Sequence, residues 1–138
     1  MSAFVLDVSV AAAWLLRGQA DSYADRVLEL LARGRAIVPP LFVWEMVNVM
    51  VVAEHRKKVN AERVDAAMEF VFALPIEVVS DDPVPTAVSL LLLARRHGLS
   101  AYDAAYLELA MRRGVPLATR DAALRRAARV IGIADVRA

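Results

Sequence analysis

The chain has 138 residues, a length that suits one domain and leaves little room for two. Its 59% hydrophobic content argues for a dense core and excludes a disordered chain, and the absence of cysteine excludes disulfides and thiolate zinc sites. A net charge of +1 gives no global case for nucleic-acid binding, so any such case must rest on local patches.

In chain order, Ala3 to Leu6 is an unbroken apolar run that suits a strand buried on both faces. Ser9 is placed to cap a helix running to Arg17, with Gly18 just past its end. Tyr23 to Arg33 has helical periodicity and stops at Gly34, and Ala36 to Val38 is a second strand. Pro39 and Pro40 open a long helix from Leu41 to Lys57. Ala61 to Leu74 is a helix capped by Asn60, and Ile76 to Val79 is a third strand. Helices follow from Pro83 to His97 and from Ser100 to Arg113, ended by Gly98 and Gly114. Leu117 to Thr119 is a fourth strand, Asp121 caps a helix to Arg129, and Val130 to Val136 holds a weak fifth strand.

Strands alternating with helices predict an α/β fold, a three-layer α/β/α sandwich whose central sheet is mainly parallel with about five strands. The whole chain, 1–138, reads as a single domain. The run from Val84 to Ala94 is broken by Pro85, Thr86 and Ser89 and is too short to span a bilayer. The opening apolar run stops at Asp7 without the features of a signal peptide. A cytoplasmic protein is expected, with no membrane association.

In open parallel sheets, ligands bind beyond the carboxyl ends of the strands. Asp7 ends the first strand and Asp121 follows the fourth. Glu45 lies early in the helix after the second strand, and Asp103 lies in the first turn of its own helix. Each has a plain structural explanation. Asp121 is a good helix cap, Ser100 and Asp103 form a capping-box pattern, and Asp7 suits the start of a turn. Glu45 is harder to explain. Its helix is apolar nearly all round and is expected to be buried, with only Glu45 and Asn48 breaking the run. A buried carboxylate there needs a partner, either an arginine or a cation. Two like charges about 4 Å apart repel by roughly 4 kcal/mol at an effective dielectric near 20, so four carboxylates brought together take up protons or recruit a hard cation.

At these residues the sequence resembles the PIN-domain family, in particular the VapC-type toxins of toxin–antitoxin pairs. Phe4-Val5-Leu6-Asp7-Val8-Ser9 is similar to the family's strand followed by D-x-S. Pro39 to Asn48 is similar to its P-x-x-x-x-E-x-x-N helix, Leu99 to Tyr106, with Asp103, is the most specific piece, and Leu117 to Asp121 is similar to its T-x-D motif. The resemblance covers nearly the whole chain. It implies a metal-dependent endoribonuclease in which Asp7, Glu45, Asp103 and Asp121 bind one or two Mg2+ or Mn2+ ions and are catalytic. It further implies that Ser9 and Thr119 bond near the ions, and that Asn48 and Arg120 lie in the surrounding shell or face substrate. The implied partners are RNA, a small antitoxin whose tail occupies the acidic cleft, and a second copy in a homodimer. A solitary RNA-processing nuclease or a non-catalytic scaffold on the same fold stays open.

Other features carry less. Arg17, Arg112, Arg113, Arg120, Arg125, Arg126 and Arg129 are candidates for bordering the cleft and holding phosphates, against the simpler reading of solvated helix faces. Arg120, between Thr119 and Asp121, is the strongest of them. His55 and His97 have no partner at metal spacing. Trp14 and Trp44 suit a core or an interface better than RNA stacking. The apolar excess of the Leu41–Ala53 and Ala61–Leu74 helices fits a dimer surface as well as a core. A phosphatase of the haloacid dehalogenase kind also begins with a strand ending in Asp, but it wants a second Asp where Ser9 stands.

Overall fold

The computed structural model describes residues 3–16 and 21–137. The expected helix end at Arg17 and stop at Gly18 lie outside the described residues. In chain order the elements are β1 (Ala3–Leu6), α1 (Val8–Leu15), α2 (Ser22–Leu30), β2 (Arg35–Val38), α3 (Leu41–His55) and α4 (Ala61–Ala73). These are followed by β3 (Ile76–Val78), a 3₁₀ turn (Val84–Thr86), α5 (Ala87–His97), α6 (Ala101–Arg113), β4 (Leu117–Ala118) and α7 (Ala122–Ile131).

The four strands form one parallel sheet in the order β3-β2-β1-β4. The chain steps outward from β1 to β2 to β3, then returns to the other side of β1 with β4. The right-handed rule for parallel crossovers puts the helices of the first two connections on one face and α5 and α6 on the other. The packing agrees: α1 meets α2 and α3, and α3 meets α4, whereas α6 meets α5, α7, β1 and β4. This is the expected three-layer α/β fold.

The apolar runs explain the sheet. Phe4, Val5 and Leu6 of β1 are all buried, as are Ala36, Ile37 and Val38 of β2, because helices cover both faces. Several helix ends follow local chemistry. The side chains of Asn60, Ser100 and Asp121 accept the backbone N–H groups of Arg63, Asp103 and Leu124. Gly98 and Gly114 close α5 and α6 in the left-handed conformation, at φ 65° and 64°.

Four expectations need correction. The fifth strand contracts to a single parallel bridge between Leu117 and Asp135. Helix α7 runs on through Val130 and Ile131 to Gly132, which leaves few residues to pair with β4. Ser9 is not the cap of α1: Asp7 holds that position and the Ser9 hydroxyl donates to it. The helix from Leu41 ends at His55, with Lys57 at φ 58° turning the chain. Finally, α3 is not buried all round. Phe42, Met46, Met50 and Ala53 face the core, while Trp44, Val47 and Val51 are exposed.

Candidate active site

The strand order reverses between β1 and β4, so the crevice beyond their carboxyl ends is the topological switch point of the sheet. Asp7 sits there. Its backbone N–H donates to the Ala118 carbonyl at 3.0 Å, which fixes it beside the end of β4. Its side chain is 3% exposed, and one carboxylate oxygen accepts two hydroxyls, from Ser9 and Thr119, each at 2.7 Å. Each hydroxyl in turn accepts a backbone N–H of the next loop: Ser9 from Arg120 and Thr119 from Asp121, both at 3.0 Å. The loop after β4 is thereby fastened to the Asp7 carboxylate. Asp121 then starts α7, with one of its oxygens on the Leu124 N–H at 2.9 Å.

The other two acids approach from the flanking layers. Glu45, in the second turn of α3, is partly buried and accepts the Tyr106 hydroxyl of α6 at 2.6 Å. Asp103, one turn before Tyr106 on α6, is also partly buried. Electrostatics link all four. Burial pushes the Asp7 carboxyl above the usual carboxylate range, and the charge of Asp121 adds to this against the lowering by Ser9 and Thr119. Burial raises Asp103, helped by the charges of Asp7 and Asp121. Burial raises Glu45, helped by the charges of Asp7 and Asp103. Among the described residues, no Lys, Arg or His forms an ion pair with any of the four.

A group of oxygen donors that repel one another, one of them nearly inaccessible to water, has the chemistry that a hard dication neutralises. Sulfur and imidazole ligands are not part of it. Among the described residues, no three His, Cys, Asp or Glu side chains are already drawn around one point closely enough to hold an ion. The carboxylates instead rest on their own donors: Asp7 on two hydroxyls, Glu45 on Tyr106, and Asp121 on the α7 amide.

The remaining sequence candidates fall out differently. Ser9 and Thr119 lie at the centre. Arg120 is turned toward Asp21, the residue capping α2, with Nε 2.7 Å from its carboxylate, so it is no free phosphate grip. Asn48 is exposed and lines a separate surface depression with Leu16, Val52 and Lys58. Arg125 donates to the Thr119 carbonyl and lies over the Tyr23 ring, 5.1 Å from its centroid, so it braces the same loop from behind. Arg112 pairs with Glu108 and Asp81. Sequence reasoning did not single out Tyr106. Its signal was present: it follows Asp103 by three residues, so the two share a helix face.

A family model for the PIN domain matches residues 4–130 of the chain. A search of curated proteins gave no match. Two solved structures are similar in fold. PAE2754 from Pyrobaculum aerophilum is 21% identical with a TM-score of 0.69, over 92% of this chain and 87% of that one. FitAcB from Neisseria gonorrhoeae is 19% identical with a TM-score of 0.64, over 99% of this chain and 97% of that one.

Proposed function

This chain belongs to the PIN-domain family, whose members are generally nucleases, and we propose that it is a single-domain, divalent-metal-dependent endoribonuclease acting as the toxin of a toxin–antitoxin pair. What supports this reading is the mutual repulsion of acids from distant segments, Asp7 with Asp121, Asp103 with both, and Glu45 with Asp7 and Asp103, with no ion-pairing base on any of them among the described residues. Asp7, Glu45, Asp103 and Asp121 are the catalytic acids and would hold one or two Mg2+ or Mn2+ ions. A dication bound there supplies positive charge to a phosphodiester oxygen and lowers the pKa of a water.

The chain's own residues do the rest. Ser9 and Thr119 hold one oxygen of Asp7 in place and tie its position to the Thr119–Asp121 loop. Asp121 keeps its orientation through the α7 amide, and Glu45 through Tyr106. Asp21 and Arg125 restrain Arg120 and the Thr119 carbonyl, which keeps the loop rigid. RNA is the proposed substrate: with the acids neutralised by a dication, the site would attract a phosphate instead of repelling it. A basic tail of an antitoxin would fit the same uncompensated negative cleft.

A homodimer is part of the proposal. Trp44 is 67% exposed, and Val84, Val88, Leu91 and Leu92 are exposed along the 3₁₀ turn and α5. Trp44 and Leu90 border one apolar cavity of about 380 Å³ with Pro39, Pro40, Leu41 and Pro83. These exposed apolar side chains are what supports placing the interface on this face.

The test is cleavage of a single-stranded RNA by the purified chain in Mn2+, with and without chelator, beside the Asp103→Asn variant. Cleavage lost in both controls supports the proposal. Undiminished cleavage after exhaustive chelation, or by the variant, contradicts it.

A further inference from the structure

The sequence motifs give Tyr106 no role of its own and no link to Glu45. Tyr106 is fully buried, yet its hydroxyl donates to Glu45 at 2.6 Å, joining α6 to α3. One buried hydroxyl therefore reaches the helix carrying Glu45 from the helix carrying Asp103. Glu45 accepts no hydrogen bond from any other described residue. A glutamate has three rotatable bonds and loses considerable freedom when fixed, so a single short bond to a rigid, buried donor decides where its carboxylate points.

We propose that Tyr106 is a positioning residue that presets the Glu45 carboxylate for the metal ion, and so sets the affinity of the site. The inference rests on the reading of Glu45 as a metal ligand. Groups that hydrogen-bond a ligand from outside commonly change metal affinity by 10- to 100-fold when removed. Tyr106→Phe deletes the hydroxyl and keeps the ring that fills the core.

The experiment is Mn2+ binding to the full chain by titration calorimetry and by the electron paramagnetic resonance of free Mn2+, for wild type, Tyr106→Phe, Glu45→Gln and the double variant. Thermal unfolding in chelator runs alongside as a check on packing. Tyr106→Phe is expected to bind Mn2+ at least ~10-fold more weakly. The double variant is expected to bind no more weakly than Glu45→Gln alone, because the hydroxyl acts only through that carboxylate. A purely structural tyrosine would instead give losses that add, which overturns the proposal. If Tyr106→Phe binds like wild type while Glu45→Gln is impaired, the positioning role fails and the nuclease proposal stands. If Glu45→Gln also binds like wild type, Glu45 is no ligand and both fail. Glu45→Asp asks the same question with Tyr106 intact, by keeping the charge and withdrawing it one methylene from the hydroxyl. It is expected to lose affinity to a similar degree, and full affinity overturns the proposal.

Discussion

Replacing Asp7 by asparagine should stabilise the metal-free protein while destroying its response to metal. The carboxylate is buried, raised in pKa by that burial, and repelled by Asp121. An amide oxygen can accept the same Ser9 and Thr119 hydroxyls, so Asp7→Asn removes the charge and keeps the geometry. Relief of this kind at a functional site is worth on the order of 1 kcal/mol. For a chain of this size that is about 3–4 °C in Tm. Asp7→Ala should move the other way. It strips the buried Thr119 hydroxyl of its 2.7 Å acceptor, at a cost of about 1–3 kcal/mol. The assay is thermal unfolding at neutral pH in chelator and again in excess Mn2+. Wild type at ~100 times its dissociation constant gains about 2.7 kcal/mol from the ion, and Asp7→Asn should gain little. A lower Tm for Asp7→Asn than for wild type in chelator would refute the reasoning, because it would mean that the carboxylate stabilises the fold.

Three further outcomes are expected. Asp7, Glu45 and Asp103 have folded pKa values raised above their unfolded ones, so the metal-free fold binds protons more tightly than the unfolded chain. Their contribution is fully present below the ordinary carboxylate pKa of about 4 and is lost as pH rises through the raised values; in chelator, wild type should therefore lose more stability than Asp7→Asn as pH rises from about 4 to neutrality. Asp121→Asn should keep the α7 cap and its stability while losing RNA cleavage, whereas Asp121→Ala should also cost about 1 kcal/mol of stability, both read by unfolding beside the cleavage assay. In sedimentation equilibrium the wild-type chain should have twice the monomer mass, and Leu92→Glu should be monomeric. A wild-type monomer at micromolar concentration would remove the exposed α5 face as an interface.

The strands were legible because Ala3 to Leu6 and Ala36 to Val38 are short unbroken apolar runs, a pattern that suits a sheet covered on both faces. The caps at Asn60, Ser100 and Asp121 were legible because they depend on one side chain and the next turn. The fifth strand was not. Val130 and Ile131 are as β-prone as any pair in the chain, yet they complete α7, and only the backbone around Asp135 reaches Leu117. For α3, hydrophobicity on every face was equated with burial. The outward residues Trp44, Val47 and Val51 show that composition alone cannot tell a core face from an exposed one. Ser9 does not cap α1 because its hydroxyl bonds backward to Asp7, which takes the cap position itself. The approach of Glu45 to Tyr106 likewise depends on how α3 and α6 meet beyond the sheet edge, and no local pattern encodes that.

The most direct test of the central claim is the anomalous scattering of crystals of the chain soaked in manganese. The account predicts one or two peaks bounded by Asp7, Glu45, Asp103 and Asp121. Manganese bound only at other surfaces, or no peak at saturating concentration, would contradict it.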